Sequence, residues 1–374
     1  MMRFIRNLFG SESKQTKRKS RRPAAGRRLG LEGLESRDLM AVAVLPTTLP
    51  TVQLQQPAAP AAVEISIQNH DLVIRGTDGP DDVKVSLQNG KYIVTVTTEV
   101  NGRASPTSTA WRLTGGDVFF YGNKGDDTFL ASFPAAGWLR VTADGGDGND
   151  NLTGSWGKDN LKGGNGRDTL IGQAGHDVLD GGLGPDYMEG RDGNDTIKCG
   201  NDYEANNAFG GAGNDTITGS FGDDALNGGG GNDTISGYDG NDIIYGNDGV
   251  DYLFGGYGND FLSGDAGNDE LYGSLGNDTL WGGKGLDKCY GDEDNDTIYG
   301  DYDGQKDVLY GQGGRDTFRL ELKYHDPTWW QGMLFWNPAL YTGSDYEGPL
   351  GAHVSDEDFP ADFDDREDKI QFIF

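Results

Sequence analysis

Aspartate recurs at one fixed position of a nine-residue repeat, G-x-x-G-x-D-x-U-x, in which U is an apolar residue. The repeat covers residues 145–198 and 210–299, followed by an eleven-residue unit at 300–310 and a last regular unit at 311–319. Carboxylates are hard oxygen ligands, so acids at this spacing predict sites for a divalent cation. The candidate metal ligands are Asp150, Asp159, Asp168, Asp177, Asp186, Asp195, Asp215, Asp224, Asp233, Asp242, Asp251, Asp260, Asp269, Asp278, Asp287, Asp296, Asp307 and Asp316.

The residue two places after each aspartate is apolar in every unit, from Leu152 to Phe318. A period of this kind is typical of a solenoid, in which stacked repeats share one continuous core. We expect the last three residues of each unit to form a short strand whose central side chain points inward. Two units then make one coil of eighteen residues, with a turn on each side. The eleven residues 199–209 interrupt the repeat.

In such a stack, aspartates eighteen residues apart lie one above the other. Like charges about 5 Å apart repel by about 1 kcal/mol in water and by about 3–4 kcal/mol at an effective dielectric of 20. Summed along the stack, this repulsion exceeds the usual stability margin of about 5–15 kcal/mol. A bound cation converts the repulsion into ligation. Carboxylates and the carbonyls of tight glycine turns favour Ca²⁺ over Mg²⁺, which gives up its water reluctantly.

Four units show the pattern most closely, at residues 163–170, 210–217, 228–235 and 255–262. They resemble the RTX, or hemolysin-type, calcium-binding repeat family. The resemblance implies an all-β fold, a parallel β-roll in which the first six residues of each unit form a calcium-binding turn and the last three a strand. It also implies that each ion lies between one turn and the turn two units further on. Pairing the regular units in this way predicts about twelve calcium ions.

Composition divides the rest of the chain. The first forty residues carry eleven basic and four acidic side chains, although the whole chain has a net charge of −29. Short β-branched and aromatic runs at 63–143 predict strands, and 76–83 and 122–129 are degenerate copies of the repeat. We predict a basic export or sorting segment at 1–45, a Pro/Ala-rich linker at 46–62, a β-rich N-terminal cap at 63–143, the β-roll at 144–319 and an acidic, aromatic C-terminal cap at 320–374.

These features favour a secreted or cell-surface bacterial protein that folds on binding calcium and has a structural or adhesive role. Either the basic N-terminal segment or the C-terminal region, which resembles that of type I-secreted RTX proteins, could direct export. An acidic body would be repelled by nucleic acid. No run of about eighteen apolar residues predicts a transmembrane span.

Catalytic signatures are missing from the sequence: neither H-E-x-x-H nor G-x-S-x-G occurs, and the four histidines are scattered. We therefore expect no enzymatic activity. One alternative is that the roll is an accessory of a secreted hydrolase or cytolysin. Another is a calcium-dependent module that binds cell-surface glycans.

Aromatic residues fill the ninth positions late in the repeats. Alternate units face opposite ways, so the sequence predicts one ladder of Phe254, Tyr272 and Tyr290, and another of Tyr245, Trp281 and Tyr299. Such ladders either stabilise the sheet by cross-strand packing or offer a stacking surface for glycan.

Overall fold

A computed structural model describes residues 62–88, 91–100, 103–111, 116–133, 139–300, 305, 307–321 and 369–373. The chain divides into two compact units, Met1–Gln56 and Pro57–Phe374, and the described residues all belong to the second. The predicted export segment, nearly all of the linker and most of the predicted C-terminal cap therefore lie outside the described residues. No helix that could cross a membrane occurs within the described ranges.

The described residues form strands joined by turns. The strands that precede the regular repeats are β1 (Glu64–Gln68), β2 (Asp71–Arg75), β3 (Asp82–Gln88), β4 (Lys91–Val100), β5 (Arg103–Trp111), β6 (Val118–Lys124), β7 (Thr128–Ser132) and β8 (Val141–Asp147). Those of the first run of repeats and the interrupting segment are β9 (Asn151–Thr153), β10 (Asn160–Asn165), β11 (Thr169–Ala174), β12 (Val178–Leu183), β13 (Tyr187–Asp192), β14 (Thr196–Gly200) and β15 (Asn207–Ala212).

The second run of repeats and the C-terminal region add thirteen more strands. They are β16 (Thr216–Thr218), β17 (Ala225–Gly230), β18 (Thr234–Asp239), β19 (Ile243–Asp248), β20 (Tyr252–Tyr257), β21 (Phe261–Ala266), β22 (Glu270–Leu275), β23 (Thr279–Lys284), β24 (Lys288–Glu293), β25 (Thr297–Gly300), β26 (Val308–Gly313), β27 (Thr317–Glu321) and β28 (Lys369–Ile373).

Successive strands from β6 to β27 alternate between two sheets, as the eighteen-residue coil predicts. One sheet has thirteen strands in the order β1-β2-β6-β8-β10-β12-β14-β16-β18-β20-β22-β24-β26. The other has fifteen, in the order β28-β27-β25-β23-β21-β19-β17-β15-β13-β11-β9-β7-β3-β4-β5. Within the repeats every pairing is parallel between neighbouring coils. Partners are eighteen residues apart where both units are regular, as for Leu161 with Leu179 and Leu170 with Leu152, and twenty apart across an eleven-residue unit. The parallel β-roll is therefore confirmed.

The core is a double row of single side chains, one from each unit. Every apolar position of the repeats is buried, from Leu152 at 0% exposure to Leu309 at 5%. Residues on either side of it in the strand are more exposed, as at Thr169 and Ile171 around Leu170. The inward direction predicted from the period is confirmed.

Most strands of the repeats are longer than the predicted three residues. Most span six, because pairing continues past the first glycine of the next turn: Gln173 pairs with Arg191, and Ala174 with Asp192. The second residue of such a turn has a positive φ, 121° at Gly164. A side chain there would collide with the carbonyl oxygen of Gly146 in the preceding coil, which explains the frequent glycine.

The strands before residue 145 join the same two sheets. β6 pairs in parallel with β8, and β3 pairs in parallel with β7. Antiparallel pairs occur only at this end of the described residues, between β1 and β2 and along β3, β4 and β5. At the other end, β28 pairs in parallel with β27.

Candidate metal centres

The repeated acids lie in two stacks, one on each side of the roll. The first turn column contains the turns that enter the fifteen-stranded sheet, and the second contains those that enter the thirteen-stranded sheet. The sixth residues of the first column are Asp81, Asp127, Asp150, Asp168, Asp186, Asn206, Asp224, Asp242, Asp260, Asp278, Asp296 and Asp316. Those of the second are Asp159, Asp177, Asp195, Asp215, Asp233, Asp251, Asp269, Asp287 and Asp307.

All eighteen predicted ligands thus occupy the two columns, and all except Asp307 are buried. Their side chains share one hydrogen-bonding pattern. The Oδ1 atom of each aspartate accepts a hydrogen bond from the backbone N–H of the sixth residue one coil earlier. Asp150 donates to Asp168 Oδ1 at 2.7 Å, and Asp168 donates to Asp186 Oδ1 at 2.8 Å. The carboxylates are therefore held in line along the roll.

The second carboxylate oxygen, Oδ2, has no hydrogen-bond partner in most of these residues, although it is buried. This holds for Asp127, Asp150, Asp168, Asp177, Asp186, Asp195, Asp215, Asp233, Asp242, Asp251, Asp260, Asp269, Asp278 and Asp296. A buried, ionised oxygen without a partner is costly, so it requires either a cation or a proton.

The pKa values show the same cost. Burial raises the pKa of Asp168 to about 7, against the hydrogen bond from the Asp150 N–H, which lowers it. Burial likewise raises the pKa of Asp177 and of Asp242 to about 8, and neighbouring aspartates in the column raise it further. Without a cation, the folded columns hold their protons near neutral pH.

Main-chain oxygen lies beside the unpartnered carboxylate oxygen. A Cβ atom placed on Gly264 would lie 2.5 Å from Asp269 Oδ2 and 2.5 Å from the carbonyl oxygen of Gly282 in the next coil. The same neighbours surround the first glycine of other turns, such as Gly172 next to Asp177 Oδ2 and Gly190 O. Glycine therefore keeps open a space lined by carboxylate and carbonyl oxygen.

Side chains alone do not complete a ligand set. Among the described residues, no three His, Cys, Asp or Glu side chains converge on one point. An ion held in the columns must take its other ligands from carbonyl groups, and all-oxygen donors of this kind suit Ca²⁺. The residues present therefore fit calcium, with the unpartnered aspartates and the turn carbonyls as its ligands.

The columns include residues that the sequence analysis did not select. Asp127 has the same burial, unpartnered oxygen and N–H donation to Asp150 Oδ1 as the repeat aspartates. The degenerate unit at 122–129 was the signal for it. Asp81 begins the first column, and its N–H donates to Asp127 Oδ1.

Residues 199–209 do not interrupt the roll. They contain the end of β14, one longer turn and the start of β15, with Asn206 at the sixth position and Ala208 buried in the core. The N–H of Asp186 donates to Asn206 Oδ1 at 2.9 Å, as it would to an aspartate. The register survives because the extra residues lie in the turn.

The first predicted aromatic ladder is confirmed and the second is confirmed only in part, because Ser263 lies between Tyr245 and Trp281 on their sheet. Phe254, Tyr272, Tyr290 and Tyr310 stack with ring centroids 4.8–5.0 Å apart and planes within 7° of parallel. On the opposite sheet Trp281 stacks on Tyr299 at 5.6 Å. The rings are partly exposed and pack on one another along the strands.

Comparison with known families agrees with this geometry. The model of the RTX calcium-binding nonapeptide repeat, which spans four copies, matches the chain repeatedly. The matched segments are residues 113–132, 142–170, 162–197, 200–235, 227–262, 236–271, 254–289 and 263–298. They include the degenerate unit around Asp127 and the segment around Asn206. No curated protein matches the sequence.

Proposed function

We propose that this chain is a secreted or cell-surface RTX protein whose roll folds when calcium binds, because RTX calcium-binding nonapeptide repeats match it in segments between residues 113 and 298. The observation that carries the proposal is the row of buried, unpartnered Oδ2 atoms in both columns. Calcium supplies the positive charge that compensates these buried carboxylate oxygens. The chain's own residues hold the carboxylates in line and present carbonyl oxygen beside them.

The location outside the cell follows from the affinity expected of such sites. Extracellular calcium modules bind at about 10⁻⁴–10⁻³ M, far above cytosolic calcium. Because metal binding and folding are one equilibrium in a site that forms only in the folded state, the repeats would stay unfolded before export and fold outside. The RTX repeats support this, because the family is typically found in secreted proteins.

We assign the roll a structural or adhesive role without catalysis. Its described residues form turns and two sheets, and the acids that the repeats bring together are engaged in the columns. The exposed aromatic ring of Trp281 supports a second candidate, glycan binding by ring stacking. A glycan array with and without calcium, repeated with Trp281→Ala and with Tyr272→Ala, would detect it.

The main test is a calcium titration of the full chain by circular dichroism. We expect little β signal in chelator and a cooperative gain as calcium is added, with a much weaker response to magnesium. An unchanged spectrum and melting temperature in chelator would contradict the proposal.

Asp195→Asn provides a matched variant. It keeps the size of the side chain but removes the charge of a buried carboxylate whose Oδ2 is unpartnered. Asp192→Asn, in the same turn, changes an exposed carboxylate and serves as control. We expect the first to raise the calcium concentration at the folding midpoint several-fold and the second to leave it nearly unchanged. Equal midpoints for the two variants would argue against ligation by the column.

A further inference from the structure

Two turns of the repeats differ from the others in backbone conformation. In most turns the second residue has a positive φ, even where it is not glycine, as at Gln173 (89°) and Tyr238 (81°). Ser155 and Ser220 occupy the same position without a positive φ. We call Gly154–Asp159 and Gly219–Asp224 the serine turns. The strands before them, β9 and β16, end ahead of the first glycine and have only three residues.

In a serine turn the chain itself satisfies the aspartate. The N–H of Ser220 donates to Asp224 Oδ2 at 2.6 Å, and the serine hydroxyl lies 3.0 Å from the same oxygen. The N–H of Ser155 donates to Asp159 Oδ2 in the same way. Asp159 and Asp224 are accordingly not among the buried aspartates with an unpartnered Oδ2. These two carboxylates have no oxygen left over that requires a cation.

Each serine turn follows a turn that lacks the aspartate. The turn before Gly219–Asp224 in the first column ends at Asn206, whose N–H donates to Asp224 Oδ1 at 2.7 Å. The hydroxyl of Ser220 lies 3.2 Å from the carbonyl oxygen of Glu204 in that turn. A protein hydroxyl therefore links the two turns.

The second column repeats this arrangement. The residue that precedes Asp159 in the column is Val141, whose N–H donates to Asp159 Oδ1 at 2.7 Å. Ser155 donates its hydroxyl to the carbonyl oxygen of Leu139 at 2.8 Å. Leu139 and Glu204 both lie two residues before the end of their turns, so the two serines reach equivalent carbonyl groups.

Asn206 adds donors where an aspartate would supply acceptors. Its Nδ2 lies 3.0 Å from Glu204 O, 3.1 Å from Ser220 Oγ and 3.1 Å from Asp224 Oδ1. Amide hydrogens pointing into the space between two turns repel a cation and occupy the oxygens that would bind it. The space between these two turns is therefore filled by protein hydrogen bonds.

Another serine shows that the residue type alone is not the cause. Ser274 is also the second residue of a turn, but it has a φ of 86°. The preceding turn in its column ends at Asp260, and the aspartate of its own turn, Asp278, keeps an unpartnered Oδ2. The serine turn therefore forms where the preceding acid is missing.

We propose that the serine turns are metal-free junctions in the calcium columns. The Ser155 turn is the metal-free start of the second column. The Ser220 turn, with Asn206, divides the first column into a block whose last unpartnered carboxylate is Asp186 and a block whose first is Asp242. Calcium ions then bind within each block and not between residues 201–206 and 219–224. This inference rests on the proposed function, and it fixes which neighbouring turns share an ion.

The direct test is anomalous diffraction from crystals of the calcium-loaded wild-type chain. We expect a calcium peak between residues 237–242 and 255–260, where Asp242 Oδ2 is unpartnered, and none between 201–206 and 219–224 or between 139–141 and 154–159. A peak at either junction overturns the inference. A chain that binds no calcium overturns the proposed function instead, so the two failures are distinguishable.

Native mass spectrometry of a variant provides a second test. Asn206→Asp combined with Ser220→Gly gives the junction the residues of the other turns, and we expect the folded chain to bind one more calcium ion than wild type. Ser274→Gly is the matched control and should leave the number of ions unchanged. A folded double variant with the wild-type number of ions contradicts the inference, and the diffraction experiment decides it if the double variant does not fold.

Discussion

The N-terminal end of the roll and its repeats are built from the same two sheets but have different cores. Around β3, β4 and β7 the buried side chains are large and varied: Phe120 stacks on Phe129 at 4.9 Å, and Tyr92 contacts Phe133 edge-on at 5.6 Å. In the repeats, each nine-residue unit buries one apolar side chain between two rows of aspartates. The first region has an ordinary hydrophobic core. The second can remain folded only if the charge of its columns is compensated.

One continuous sheet can therefore contain segments with different requirements for stability. Antiparallel neighbours at the N-terminal end hold the first coils by hydrogen bonds and apolar contacts that need no metal. Each repeat contacts only its neighbours, so the repeats gain little from that end beyond the first coils. Removal of calcium should therefore affect the two regions unequally.

The largest expected effect is regional loss of structure in chelator. Measured by hydrogen exchange on the full chain, amides of β10–β26 should lose nearly all protection, because their buried carboxylates repel one another. Amides of β3 and β4 should retain substantial protection. Uniform loss over both regions, or uniform retention, would remove the distinction between them.

The second expected effect is that protonation of the column aspartates at low pH partly restores the folded repeats without calcium. Burial raises the pKa of Asp168 to about 7 and of Asp296 to about 8, against about 4 in an unfolded chain. The folded repeats thus bind protons more tightly than the unfolded chain does. Their stabilisation by protonation is complete below about pH 4 and is lost as the pH rises through 7–8. In chelator, the β signal should therefore increase between pH 8 and pH 5.

The control for this effect is the chain in saturating calcium at pH 8, which should already show the full β signal. If the metal-free chain has the same low signal at pH 5 and at pH 8, desolvation of the columns is not what destabilises it.

The smallest expected effect concerns the aromatic ladder on the surface of the repeats. Tyr272→Ala removes the contacts of one ring with Phe254 and Tyr290, and such pairs contribute about 0.5–1.5 kcal/mol each. We expect a fall of a few degrees in the melting temperature of the calcium-loaded chain. Tyr257→Ala, at a more exposed ring outside the ladder, should change it less. Equal shifts would show that stacking adds nothing to the stability of the repeats.

The sequence was enough to predict the solenoid and the inward direction of the apolar residues. It also predicted that the aspartates alternate between two columns and that Tyr272 stacks on its neighbours. All of these follow from a fixed period and from the alternation of side chains along a strand. The sequence also marked Asp127 through a degenerate unit. The calcium assignment rested on oxygen chemistry together with a family resemblance.

How the irregular turns, those around Asn206 and the two serine turns, fit the columns could be seen only in the tertiary structure. The eleven residues around Asn206 leave the repeat in sequence but keep its register, because a longer turn can carry extra residues while the strand after it still pairs with its neighbour. Two serines adopt a different turn from a third at the same repeat position, because the conformation depends on the residue one coil earlier. Contacts between residues about twenty apart set these outcomes, and no local pattern contains them.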